Sequence, residues 1–346
     1  MYEVDFLAVE NEKRDGTKSG DAIATRFTAP DGTQKVVVID AGFTDVGEQL
    51  VTHIRDYYDV EHIDLVISTH PDTDHLNGLQ AVLDSFSVGE LMLHLPWNHV
   101  ADATALGNYD RIVELAKTAL RNNVTLTEPF AGADRFDGGL RILGPTKDFY
   151  EANLSEALDE AFTARTSSFG YLAGSAVLTL AQKALEKKVD DYPDETLTDV
   201  DDTGARNQAS VVTYVDADGH RMLFTGDAGI AALDAAATEY ERVVGPLSAY
   251  PLQFFQAPHH GSKHNLGPTI LDRWIGGPAD GSRHLTAFIS SARLSEKHPS
   301  PKVTNALGRR GAIVFATEGS KICHLSSTRD GWTKAPELPP LVEDDD

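Results

Sequence analysis

The sequence predicts an α/β fold. Short apolar runs of strand character alternate along it with stretches whose apolar residues recur at helical spacing. Polar loops rich in histidine and aspartate follow several of the strand-like runs. With 346 residues, 41% of them apolar and 24% charged, the chain can bury one large core or two ordinary ones.

The first forty residues read as three strands, in "YEVDFLAV", "DAIATRFTA" and "KVVVIDAGF". A turn at "APDGTQ" separates the second from the third. "VGEQLVTHIRDYY" is amphipathic and predicts a helix, and "IDLVIST" a short buried strand. A helix in "LNGLQAVLDSF", a strand in "GELMLHLP", a helix in "YDRIVELAKTALRNN" and a strand in "LRILGP" follow.

From 146 to 206 the pattern changes. Helical stretches, "YEANLSEALDEAFTA" and "SAVLTLAQKALEKK", lead into the acidic run "VDDYPDETLTDVDDTG", which reads as a mobile loop. Strands resume in "SVVTYVD" and "RMLFTG" around the turn "ADGH", followed by the helix "GIAALDAAATEYERVV". "LQFFQAP" and "LTAFISS" read as strands, "SPKVTNALGRRG" as a helix, and "AIVFAT" and "KICHLSS" as terminal strands.

Composition excludes several classes. No apolar run approaches about 18 residues, the length a membrane helix needs; "FGYLAGSAVLTLA" is shorter and broken by glycine. The N-terminus lacks the basic and then apolar regions of a secretory signal. Cys323 is the single cysteine, so no internal disulfide forms, and a reducing, cytoplasmic setting is expected. A net charge of −23 repels polyanions at long range and disfavours a broad nucleic-acid-binding face.

Three loops carry the chemistry. "THPDTDHLNG" brings His70, Asp72, Asp74 and His75 together after a strand. Helix capping accounts for one of the aspartates, but not for two flanking histidines. Imidazole with carboxylate suits zinc, iron or manganese. "LFTGDAG" places Asp227 at a strand end, which alone would be an ordinary Gly-Asp turn. "QAPHHGSKHN" offers His259, His260 and His264, with Gly261 and Ser262 leaving room for close approach of a substrate.

Taken together these loops resemble the metallo-β-lactamase superfamily. Its first metal motif, H-x-H-x-D-H, is similar to His70-Pro71-Asp72-Thr73-Asp74-His75, with aspartate at the second histidine. Its bridging aspartate resembles Asp227, its last metal histidine one of His259 and His260, and its early strand-end aspartate Asp40. Asp72, "GDAIATRF", "HHGSK", "ISSARLSEKHPSP", "LGPTKDFYEANL" and "NQASVVTYV…RMLFTGD" further resemble the hydrolase domain of the competence protein ComEC, a domain associated with DNA uptake.

The resemblance, which covers about Asp5 to Ser326, implies a four-layered αββα sandwich over residues 1–335; the pattern of the residues themselves adds an insertion at 146–206 and a disordered acidic tail at 336–346. It implies one or two divalent ions, zinc or manganese, with magnesium also suited to the first site. The metal ligands would come from His70, Asp72, Asp74, His75, Asp227, His259 and His260. Where the family places a further histidine before the "SVV" strand, this chain has Asn207 and Gln208, which leaves the first site oxygen-rich.

The implied activity is hydrolysis by metal-activated water, with a phosphodiester in a nucleic acid or a small molecule as substrate. Asp74 would orient the water, and Lys263 and His298 would stabilise charge or protonate the leaving group. Lys263, Lys297, Lys302, Arg309 and Arg310 are candidates for a basic cleft rim, and His94, Trp97 and His99 for cleft walls. His53, His62, His220, His284 and His324 are expected at surfaces or element ends. Hydrolysis of a small ester, lactone or nucleotide, and a non-catalytic regulatory module with an incomplete site, are the competing readings.

Overall fold

A computed structural model describes residues 1–10, 16–167, 188–279 and 281–343. One sheet contains β1 (Tyr2–Phe6), β2 (Ala22–Thr28), β3 (Gln34–Ala41), β4 (His62–Ile67), β5 (Ser87–Met92) and β6 (Thr125–Thr127) in that order. The other contains β7 (Asp134–Arg135), β8 (Leu140–Gly144), β9 (Val212–Ala217), β10 (His220–Phe224), β11 (Phe254–Gln256), β12 (Leu285–Ile289) and β13 (Ala312–Ala316). The last strand, β14 (Ile322–Leu325), returns to pair antiparallel with β1.

The continuous apolar run of β3 follows from burial on both faces. Val37 and Ile39 point between the sheets, where they meet Phe6, Leu65, Phe224, Phe254 and Phe288. Val36 and Val38 point outward, into the layer of α1 (Thr44–Tyr58), α2 (Thr73–Leu76), α3 (Leu79–Ser85), α4 (Tyr109–Arg121) and α5 (Lys147–Ser167). The second sheet is covered by α7 (Ile230–Val243), α8 (Pro268–Ile275) and α9 (Pro301–Arg309), while α6 (Ala205–Gln208) packs on α5. The layers are therefore helix, sheet, sheet, helix. Among the described residues no helix is long and apolar enough to cross a membrane.

Two expectations change. The acidic stretch reads as mobile, yet residues 190–204 are pinned along the outside of the second sheet. Glu195 pairs with Arg309 and Arg310, Asp199 accepts the backbone N–H of Thr269 at 3.0 Å, and Asp201 accepts that of Ala231 at 2.8 Å. Carboxylates at the first turns of α8 and α7 satisfy orphan donors and favour the helix dipoles. The C-terminal segment, expected to be disordered, packs back through Glu343: Leu341 N–H donates to Asn305 at 2.9 Å, and Glu343 faces Arg309. The expected helix at Ser175–Lys188 lies outside the described residues except for Lys188, as do residues 344–346.

Candidate metal centre

β3, β4 and β5 run parallel, as do β10 to β13, so the loops leaving their C-terminal ends gather along one edge of the sandwich. There the two sheets touch. The Thr69 carbonyl accepts the N–H of Val211, and Gly226 (φ 51°) lies so close to the Thr69 side chain that a Cβ would collide with it.

The Asp227 carboxylate is the hub. Its Oδ2 lies 3.5 Å from His70 Nε2 and 3.6 Å from His259 Nε2. Its Oδ1 lies 3.5 Å from His75 Nε2 and 3.9 Å from His260 Nε2. His259 and His260 can both reach it because their backbone is left-handed (φ 48° and 57°), followed by Gly261 at φ 77°. Neighbouring side chains in an ordinary extended loop would diverge. Such a run of left-handed residues is costly, and strain of this kind collects at functional sites.

Three of the four imidazoles are oriented from behind. Asp40 Oδ2 accepts from His75 Nδ1 at 2.8 Å, Thr69 Oγ1 lies 3.0 Å from His70 Nδ1, and Asn265 Oδ1 lies 2.9 Å from His259 Nδ1. These contacts turn the Nε2 atoms toward Asp227. Asp74 stands at the mouth, 3.9 Å from His260 Nε2.

Sequence reasoning missed two members. Asp21, immediately before β2, is buried; its Oδ2 accepts from Gln256 Nε2 at 2.8 Å and its Oδ1 lies 3.8 Å from His260 Nδ1. Arg206, on α6, forms an ion pair with Asp72. Asp21 stands in "GDAIATRF", the stretch quoted above, but a lone aspartate before a strand gives no local signal of ligation.

Burial lowers the His70 and His260 imidazoles well below their usual range. Burial acts on His75 in the same way, yet the charges of Asp227, Asp40 and Asp21 and the Asp40 bond hold it well above. Asp227 is depressed far below a normal carboxylate: burial opposes this, and four surrounding imidazoles outweigh it. Burial, with Asp227 and Asp40 nearby, pushes Asp21 up to about 7. Burial and Asp227 also raise Asp74.

The donor set fits a divalent cation. His70 Nε2, His75 Nε2, both nitrogens of His260, Asp227 Oδ1 and Asp21 Oδ1 are buried without a hydrogen-bond partner among the described residues. Leaving so many polar atoms unsatisfied is unfavourable unless something binds them. The donors of Asp74, His75 and His260, and likewise those of Asp21, His75 and Asp227, already lie within 4.8 Å of one another.

Other candidates fall elsewhere. His298 lies on the rim, its ring 5.6 Å from that of His259, and Lys263 is half-buried on the adjoining loop. His264 is exposed and pairs with Asp202. His94 is buried, stacked on Tyr150 at 4.1 Å, and lines one cavity with His70 and Arg206, while His99 is held between Glu128 and Glu151. Trp97 is an exposed residue of the same loop. Two residues of the expected basic rim are committed elsewhere: Arg310 is buried against Asp272 and Glu195, and Arg309 is held by Glu195. His53, expected at a surface or an element end, is buried within α1, 3.5 Å from Asp5.

The family model of the Metallo-beta-lactamase superfamily matches residues 29–155, from the end of β2 into α5 and including His70 to His75. That match spans about a third of the chain, and the two-sheet sandwich is consistent with the fold of that superfamily. No curated protein matches the sequence. Among solved structures the chain is similar to a diphosphatase from the PhnP family (12% identity, covering 94% of this chain and 98% of that one, TM-score 0.41). It is also similar to the metallo-beta-lactamase fold protein YhfI from Bacillus subtilis (10%, 94% and 100%, TM-score 0.45). A long form RNase Z from yeast is a third (11%, 93% and 41%, TM-score 0.44).

Proposed function

We propose that this chain is a metal-dependent hydrolase acting on phosphodiesters, in the ComEC-like branch of the superfamily. The observation that carries the reading is the convergence of unpartnered, buried His70, His75 and His260 nitrogens on the two oxygens of Asp227. Imidazole and carboxylate donors favour zinc or manganese over magnesium. An ion bound there supplies Lewis acidity and brings the pKa of water near 7.

The chain's own residues do the rest. Asp74, at the mouth and made more basic by burial, takes the proton of the attacking water. His298 on the rim donates a proton to the leaving oxygen, and Lys263 offsets charge developing on the phosphoryl group. The commitment of Arg309 and Arg310 to carboxylates, together with the net charge of −23, favours a small or short phosphodiester over long nucleic acid.

Hydrolysis of bis-p-nitrophenyl phosphate with manganese or zinc tests this, beside a short single-stranded DNA and a lactone panel. Turnover of the phosphodiester that Asp74→Ala abolishes is expected. Activity confined to lactones, or none with either metal, overturns the reading.

A further inference from the structure

The two departures from the superfamily pattern, aspartate at Asp72 and the lack of a histidine before β9, are linked through Arg206. Arg206 immediately precedes Asn207, and its guanidinium pairs with Asp72. Arg206 lines the same wall as His70 and Pro71, and its charge acts on the His70 imidazole. Asn207 adds its amide 3.5 Å from Asp227 Oδ2. One side of Asp227 thus carries a permanent cation and its carboxylate partner.

The other side is arranged differently. Asp74, His75 and His260 present donors within 4.8 Å of one another, as do Asp21, His75 and Asp227, and no arginine or lysine pairs with any of them among the described residues. On the Oδ2 side, His70, Asp72 and His259 offer donors too, but Asp72 is engaged by Arg206.

Arg206 is also firmly placed. It sits on α6, where Gln208 Nε2 donates to Asp201 Oδ2 at 2.7 Å and Gln208 Oε1 accepts from Ala232 N–H at 3.2 Å. Asp201 in turn holds the first turn of α7. Guanidinium is weakly hydrated, always charged and suited to carboxylate, so a partly buried position of this kind suits it better than lysine.

We propose that the Arg206 guanidinium takes the place of one metal ion, so that the centre holds a single divalent cation on the Asp74, His75, His260 and Asp227 side. This inference rests on the metal-centre reading above. A cation fixed on Asp72 withdraws a ligand and repels a second divalent ion. Asp72 then has a reason: a neutral imidazole at that position would leave the arginine without its counter-charge.

Metal stoichiometry tests the inference independently of turnover. Metal-free protein is titrated with Mn²⁺ by calorimetry, and the loaded protein is desalted for elemental analysis and electron paramagnetic resonance. About one equivalent and an uncoupled manganese spectrum are expected for the wild type. Two equivalents with an exchange-coupled spectrum overturn this inference alone, whereas no binding overturns the metal-centre reading with it. Arg206→Ala, checked for folding by circular dichroism, is expected to rise to about two equivalents by freeing Asp72, and Arg206→Lys to stay near one. An Arg206→Ala protein that remains at one overturns the role given to the guanidinium. Should that variant not fold, the wild-type stoichiometry and spectrum decide by themselves.

Discussion

Asp40 holds His75 from behind: its Oδ2 accepts a hydrogen bond from His75 Nδ1 at 2.8 Å, while its Oδ1 accepts the backbone N–H of Thr69 at 2.8 Å. One buried carboxylate at the end of β3 therefore fixes both the tautomer of a donor imidazole and the loop that carries it. Asp40 is itself left-handed (φ 54°), a conformation asparagine tolerates. Asp40→Asn should fold, yet it removes the charge behind His75. Metal affinity should fall about 10- to 100-fold, as for other residues that orient a ligand. Titration of metal-free protein measures this; an unchanged affinity would mean that His75 needs no such support.

How far the sequence reveals this arrangement depends on locality. "KVVVIDAG" and "THPDTDHLNG" show strand, loop and candidate ligands within a few residues, and those elements stand where the pattern places them. Asp21 and Arg206 are different. Asp21 meets His260 only because β2 pairs within one sheet while Gln256 ends a strand of the other. Arg206 follows an acidic stretch that is fastened to α7, α8 and Arg309 of α9, and its pairing with Asp72 spans more than a hundred residues of sequence. That stretch misleads for a related reason: a run of carboxylates reads as self-repelling, but its partners are helix N-termini and arginines far along the chain. His99, a candidate for the cleft wall, is held by Glu128 and Glu151, partners too far along the chain for the sequence to show.

Arg310 makes the fastening testable. It is 1% exposed and bonds Asp272 at 2.7 Å and Glu195 at 2.6 Å. Arg310→Ala removes buried packing as well as charge, but both carboxylates can turn toward water. We expect a loss of about 3 kcal/mol, the lower end for a broken buried pair. Urea unfolding reads the loss directly. Limited proteolysis should also cut within 190–204 faster than in the wild type; equal rates would show that other contacts hold the stretch.

His94 gives a pH dependence of known sign. Burial, with His99 nearby, lowers its imidazole to about 3. The unfolded chain, with a histidine near 6.5, binds a proton that the folded protein refuses over the whole interval below that value. Its contribution to stability is complete above about 6.5 and is lost as the pH falls from there toward 3. At pH 4.5, two units below the unfolded value, the penalty is roughly 2–3 kcal/mol. His94→Phe keeps a ring against Tyr150 and cannot take up the proton. Its stability relative to the wild type should therefore rise by about that amount between pH 7 and pH 4.5. A difference that stays flat across the range would place the proton uptake elsewhere.

Metal removal gives the most direct thermodynamic signature. A ligand that binds the folded chain alone stabilises it by an amount set by its concentration over Kd, about 2.7 kcal/mol at a hundredfold excess. The buried nitrogens of His75 and His260 and both Asp227 oxygens converge only in the folded protein, so Mn²⁺ or Zn²⁺ should raise Tm by a few degrees over chelator. Asp227→Asn keeps the shape of the side chain but removes the charge that the four imidazoles surround. Its Tm should be nearly the same with metal and with chelator. A wild-type Tm that does not respond to either metal would show that these atoms do not form a cation site; a full response in Asp227→Asn would show that Asp227 is not its hub.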